Sequence, residues 1–217
     1  MSLLVDLSQR KVVVFGGGDI SERKVDIFVQ VANEVIVVGK EFTHNLKSMA
    51  KVLKKLQLVR ADVNDPHVVR RYLQNAFIVI PATGSRTLNK KIATEAHAMG
   101  GLVNRVDNHS ETDIIVPAVI RKGALQIAVS TCGKSPTFSR YLRAKLERLL
   151  DEEDLLLLEV EISSREIAMS KIPNRDLRRE ALSRIIVDER IRDLLKQRRL
   201  DEAKEEAKTI IEDFARR

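Results

Sequence analysis

Residues 11–24, KVVVFGGGDISERK, decide the fold. The β-branched run Val12, Val13, Val14 ends in three consecutive glycines, Gly16, Gly17 and Gly18, and then enters a polar, helix-compatible segment. This reads as strand, tight turn and helix start. Gly16 can take the turn that L-residues avoid, and Gly18 lets backbone approach a phosphate with no Cβ in the way. The amides opening the next helix, from Asp19 and Ile20, point at that anion. The spacing is G-x-G-x-x-S, with Ser21 where the dinucleotide fingerprint wants a third small residue for close helix–strand packing. The pattern by itself would also suit a glycine turn in another α/β protein. Its place after a β run, with Val35–Val38 following as a second strand, favours the fingerprint.

Outward from this turn, strands alternate with helical patterns. Ile20, Ile27, Phe28 and Val31 recur at helical spacing after the glycines. A helix is expected over Asn45–Leu56, then a strand at Leu58–Arg60. Asp65-Pro66 is a helix start, with the cap and the first-turn proline in order. AFIVI (76–80) is the most apolar strand. Ser85 or Thr87 caps a helix that Gly100-Gly101 ends, and LVNRV (102–106) is a fifth strand. Such βαβα alternation with nearly continuous apolar strands predicts a Rossmann-like parallel sheet covered on both faces. Ligands in these sheets bind beyond the carboxyl ends of the strands, so loops 16–21, 39–42, 81–86 and 107–113 are the ones to watch.

The pattern then changes. IIVPAVI (114–120), a turn at Arg121-Lys122-Gly123 and LQIAVS (125–130) read as a hairpin. Beyond Pro136 the chain is helical, over 137–150, on to Met169, and in two further helices after a break at Pro173. Three parts result: 1–113 as a dinucleotide-binding domain, 114–150 as a dimerisation and substrate-binding segment, and 151–217 as a helical C-terminal domain. The tail is too short for a core of its own. Its stripes (Leu155, Leu158, Ile162; Ile185, Ile191, Leu194, Leu195) are expected on the hairpin or on a second subunit, and a homodimer is the default.

The 217 residues hold no apolar run of membrane-spanning length, no cleavable leader and a single cysteine, Cys132. The reading is a soluble, cytoplasmic protein with no disulfide framework and no cysteine metal cluster. Residues 1–150 carry 23 Lys+Arg against 13 Asp+Glu, whereas residues 151–217 carry 15 against 18. The basic excess therefore lies with the glycine loop and favours an anionic ligand. With two Tyr, no Trp and an acidic tail, nucleic acid is disfavoured as a partner.

VVVFGGGDISERK, IPATGSRTLNKKI, LVNRVDNHSETDIIVPAVIRKGALQIAVST and GKSPTFSRYLRAKLE follow one another in the order and register of the siroheme synthase N-terminal module. The chain resembles that family, of precorrin-2 dehydrogenases and sirohydrochlorin ferrochelatases, closely over about residues 3–150 and only in kind over the tail. The resemblance implies NAD-dependent oxidation of precorrin-2 to sirohydrochlorin. Iron insertion by the same protein is the alternative it leaves open. It makes Asp107, at the end of the fifth strand, the catalytic aspartate of both reactions. A many-carboxylate macrocycle suits the basic half and the cations Arg121, Lys122, Lys134, Arg140 and Arg143. Dehydrogenation also needs an acceptor for the departing proton at the sheet edge, where Asp107 stands. Without the resemblance, an Asx turn at a strand end is the competing, less favoured reading of Asp107.

The expected cofactor contacts are Gly16, Gly18, Asp19, Ile20, Gly39, Lys40, Glu41 and Thr83. The expected substrate contacts are Arg121, Ser130, Thr131 and Lys134. NAD proteins usually place an acid at the end of the second strand. Here Gly39-Lys40-Glu41 stands there, and Lys40 would suit a 2′-phosphate while Glu41 would suit a ribose. NAD is kept on the resemblance. Asp113 matches a family acidic position or is structural. Cys132 stands where the family usually has glycine and reads as a buried or bystander thiol. His44, His67, His97 and His109 show no ligand spacing, and no metal ligands are assigned. The competing class is a non-catalytic nucleotide sensor, which gives no reason for an acid at the fifth strand or for the 130–136 loop.

Overall fold

The computed structural model describes residues 3–108 and 111–216. The chain divides into two compact units, residues 1–116 and 117–217. In the first, β1 (Lys11–Phe15) is followed by α1 (Asp19–Phe28), β2 (Glu34–Gly39), α2 (His44–Val52), β3 (Leu56–Arg60), α3 (Pro66–Leu73), β4 (Ala76–Pro81), α4 (Arg86–Ala98) and β5 (Leu102–Val103). The sheet order is β3-β2-β1-β4-β5, all parallel, so the chain runs outward from β1 on one side and then on the other. That reversal opens a crevice at the carboxyl end of β1, where the glycines follow.

Apolar residues on both sides of each strand explain this sheet. Val12 and Val14 of β1 enter one core with Val25 and Phe28 of α1 and Leu46 of α2. Val13 and Phe15 enter the other, with Val69 and Leu73 of α3 and Ile92 and Ala96 of α4. Helix starts follow the capping signals: Thr43, Asp65 and Ser85 each accept a first-turn amide.

Several expectations need correcting. The buried face of α1 is Ser21, Val25 and Phe28, while Ile20 and Ile27 are exposed, because the close-packing fingerprint turns Ser21 onto the strand. Helix α2 stops at Val52, and Leu56 already belongs to β3. β5 spans two residues instead of five. Past Val103 its outer edge is closed by side chains: Asn104 Nδ2 donates to the Ile114 carbonyl at 2.7 Å, and Asp113 Oδ2 accepts from the Val103 amide at 2.8 Å. Residues 114–117 accordingly are not strand; Ile114 and Val116 pack against the first core.

In the second unit, β6 (Ala118–Lys122) and β7 (Leu125–Val129) form an antiparallel hairpin, turned at Gly123 with φ +56°. Then come α5 (Pro136–Leu149), α6 (Glu152–Lys171), α7 (Arg175–Ile186), α8 (Glu189–Lys196) and α9 (Leu200–Ala215). Three helices follow Pro173 where two were expected. The extra reversal is made at Arg198, in the left-handed region at φ 59°, with no glycine or proline to announce it. The tail also builds its own core from Leu157, Val160, Ile172, Ile185, Ile191, Leu195, Ile211 and Phe214. Ala168, Ala181, Ala203 and Ala207, all fully buried, let these helices approach closely enough for a short segment to do so. Ile185, Ile191 and Leu195 face that core, whereas Ile162 on the opposite side of α6 is exposed.

Candidate active site

The β1–α1 turn is built by close chain approach. At Gly16, φ is +115° and a Cβ would collide with the Ala82 carbonyl oxygen; at Gly17 it would collide with the Glu41 carbonyl oxygen. Gly17, which the motif reading passed over, therefore holds the 39–43 loop against the turn, and its carbonyl accepts the Thr43 amide at 3.0 Å. Glu22 of α1 braces the same loop by accepting from the Thr43 hydroxyl and from Asn45. Gly18 is different. A Cβ there would meet nothing within 4 Å, and Gly18 is the N-cap of α1 with no side chain capping the helix. The first amides of α1 thus look into open space, which is the cradle an anionic diphosphate fits. Asp19 and Ile20 open that helix, and Ile20 is 43% exposed.

At the end of β2, Lys40 Nζ pairs with Asp62 Oδ2 at 3.0 Å. Asp62 follows β3, whose Arg60 lies in register with Gly39. Hydrogen bonds from the Asn64 backbone and from Lys40 hold the Asp62 carboxyl down at about 2. Sequence reasoning missed Asp62 because its partner sits on another strand.

Asp107 lies just beyond β5, its side chain 15% exposed. Arg105, itself buried, binds it in a fork: Nε donates to Oδ1 at 3.0 Å and Nη2 to Oδ2 at 2.9 Å, while Nη1 pairs with Glu111. Asn89 Nδ2 donates to Oδ2 at 3.1 Å. Partial burial works against the charge on Asp107, but the hydrogen bonds from Arg105 and Asn89 outweigh it and hold the carboxyl below the usual carboxylate range. The only hint of the fork in sequence is the close spacing of Arg105 and Asp107, two opposite charges two residues apart. An open cavity of about 440 Å³ is lined by Asp107, Arg105 and Glu111 together with Arg86, Thr87 and Lys90 of α4. A larger one, about 520 Å³, between α3 and α4 contains none of the expected site residues.

Gly39 ends β2, and Gly16, Gly18, Lys40, Glu41, Thr83 and Asp107 follow the carboxyl ends of their strands. Thr83 is tied to Asp107 through Asn89. Asp113 is structural: it anchors β5 and pairs with His97 Nε2 at 2.7 Å. His109 lies outside the described residues.

The expected substrate residues sit in the second unit. Arg121 is on β6; Ser130, Thr131 and Lys134 form the loop into α5. Thr131 Oγ1 accepts from the Ser135 amide at 2.8 Å, and Ser130 Oγ from the Cys132 amide at 3.0 Å, so both hydroxyls shape the loop. Lys122 Nζ donates to the carbonyl of Leu150, the C-cap of α5, at 3.2 Å. Cys132 is exposed rather than buried, and its φ of 52° explains why glycine suits that position.

Comparisons with known proteins give the family. A family described as putative NAD(P)-binding matches residues 3–118, and one described as sirohaem biosynthesis protein central matches 122–149. The chain is 32% identical to the precorrin-2 dehydrogenase of Methanosarcina barkeri, over 88% of this chain and 84% of that one. The chain belongs to the precorrin-2 dehydrogenase family. Siroheme synthase 1 of Klebsiella pneumoniae is 34% identical over 69% of this chain, which spans only 31% of that longer relative. Among solved structures, SirC, a precorrin-2 dehydrogenase, superposes with a TM-score of 0.73 at 25% identity, covering 95% of this chain and 99% of its own. For a member of the precorrin-2 dehydrogenase family, a nicotinamide dinucleotide is the cofactor class that fits the glycine cradle. Among the described residues, no helix is long and apolar enough to cross a membrane.

Proposed function

We propose that the protein is an NAD-dependent precorrin-2 dehydrogenase that converts precorrin-2 to sirohydrochlorin. The observation that carries this reading is Asp107, held as an anion by Arg105 at the same carboxyl edge of the sheet as the glycine cradle. Gly16, Gly18, Asp19 and Ile20 would hold the cofactor's diphosphate through backbone, Gly39, Lys40 and Glu41 its adenosine ribose, and Thr83 its nicotinamide half. When bound, the nicotinamide accepts the hydride. Loss of hydride leaves positive charge on the macrocycle, which the fixed Asp107 carboxylate stabilises; the proton released as the new double bond forms then passes to Asp107 or through it to solvent. Arg86 and Lys90 line the same cavity and would meet the substrate's carboxylates. Arg121, Ser130, Thr131 and Lys134 are proposed as the second unit's substrate contacts. The deciding assay supplies precorrin-2 with NAD, anaerobically and without metal, and follows the sirohydrochlorin spectrum. No spectral change in active-site-competent, NAD-binding protein would end this reading. Adding Fe²⁺ to the same assay tests iron insertion.

NAD rather than NADP is proposed from the Lys40–Asp62 pair. Asp62 pairs with Lys40, the cation that follows β2, and would present an anion to a 2′-phosphate. Asp62→Asn should improve use of NADP relative to NAD by roughly two- to fivefold, the range an exposed ion pair can supply. Steady-state kinetics with both cofactors would check this, and an unchanged ratio would remove Asp62 from the specificity argument.

We further propose a cytoplasmic homodimer formed through residues 114–150, with no membrane or nucleic-acid partner. Phe138 and Tyr141 on α5 are 52% and 61% exposed, and Leu149 67%; an uncovered aliphatic and aromatic set of this kind is a subunit contact in the making. The intact protein should run as a dimer in light scattering, and truncation near residue 113 should give a monomeric or poorly soluble sheet domain. A monodisperse intact monomer would sink the proposal.

A further inference from the structure

One residue joins the two halves of the proposed site, and neither the glycine motif nor the family resemblance assigns it a role. Asn89, on α4, is 1% exposed. Its Oδ1 accepts from the Thr83 amide at 3.0 Å and from the Thr83 hydroxyl at 2.7 Å. Its Nδ2 donates to the Thr83 carbonyl at 3.2 Å and to Asp107 Oδ2 at 3.1 Å. A carboxamide has two N–H groups and two lone pairs, and here all four are used. The orientation is forced, because the Thr83 amide can only donate and must face Oδ1; Nδ2 is thereby turned to Thr83 O and Asp107. Aspartate at this position would offer no donor to either oxygen, and glutamine would carry the amide a methylene too far.

We infer that Asn89 is a positioning residue for the dehydrogenation: one buried amide fixes the Thr83 loop and the Asp107 carboxylate relative to each other. The inference rests on the reading of Asp107 as the reacting carboxylate. Asp107 is faced by Arg105 from its own segment, with Glu111 on the far side of that guanidinium, by Asn89 from α4, and across the cavity by Arg86 and Lys90. Asn89→Asp replaces a donor by an anion of the same shape. Like charge so close disfavours the ionised form of Asp107, although Arg105 opposes this.

The test uses the full chain with NAD and precorrin-2. Asn89→Asp is expected to move the acid limb of the kcat/KM profile upward by about one pH unit or more. Asn89→Ala, which leaves the anion in the Arg105 fork but cuts its tie to the Thr83 loop, is expected to lower kcat roughly 10- to 100-fold with little change in the KM for precorrin-2. Melting curves and NAD calorimetry establish that each variant is folded. A purely packing role for Asn89 would change stability and leave the acid limb where it is. An unmoved limb in Asn89→Asp, or parental kcat in Asn89→Ala, would overturn the inference while Asp107→Asn is inactive. If Asp107→Asn turns over like the parent, the reading of Asp107 fails and takes this inference with it. Should Asn89→Asp prove unfolded, the kcat of Asn89→Ala decides alone.

Discussion

Asp107→Asn should turn over precorrin-2 about 10²–10⁴-fold more slowly than the parent, with its affinity for NAD little changed. The substitution keeps the shape of the side chain and part of its hydrogen bonding, and removes the charge. It also leaves the buried guanidinium of Arg105 facing an amide, so Glu111 becomes its remaining anionic partner. Because Arg105 and Asn89 hold the Asp107 carboxyl below its ordinary range, the parent's rate should stay level on the acid side until the pH falls below the usual aspartate range. The sign is the same for stability. A carboxylate with a lowered pKa contributes above its unfolded value, and that contribution is lost as pH falls through the folded one. His109→Ala should cost far less activity. Were Asp107→Asn fully active and His109→Ala dead, the proton acceptor would be the histidine. Were both active, positioning of substrate against cofactor would suffice, with solvent taking the proton.

Gly18→Val should abolish dinucleotide binding in calorimetry while the protein stays folded. The two halves of that outcome come from one observation: a Cβ at Gly18 meets no protein atom, so the substitution is tolerated by the fold. The space it fills is the space in front of the first amides of α1, which a diphosphate would need. Gly16 and Gly17 make the contrast. A side chain at either runs into backbone, at Ala82 or Glu41, so those variants should lose the fold of the turn itself. Normal NAD binding by Gly18→Val would mean that the turn is not the phosphate cradle.

Local signals carried most of the first unit. Asp65 with Pro66, Ser85, and the glycine run act within a few residues of themselves, so their effects on helix starts and on the turn could be read directly. The continuous apolar strands announced burial on both faces, and Asp107 was legible as an acid following the fifth strand, although that strand ends at Val103. The helical tail was harder. Its apolar residues were visible, but the stripe chosen on α6, Leu155–Leu158–Ile162, is not the one that faces the core. A helix with apolar residues on two sides does not say which side its neighbours will take.

By itself the sequence determined the parallel sheet, its order of elements and the glycine turn after β1, since each follows from φ preferences, capping and the period of apolar residues. Tertiary structure alone decided how long β5 would run, because Asn104, Thr112 and Asp113 close its edge with side-chain hydrogen bonds that spacing does not encode. It decided that the tail would pack on itself, through alanines whose value lies in the distance they permit between helices. It decided what holds the Asp107 carboxylate as well. Asn89 lies 18 residues before the aspartate it binds, and a pairing at that range is fixed only when α4 packs on β4 and brings the amide to the carboxylate.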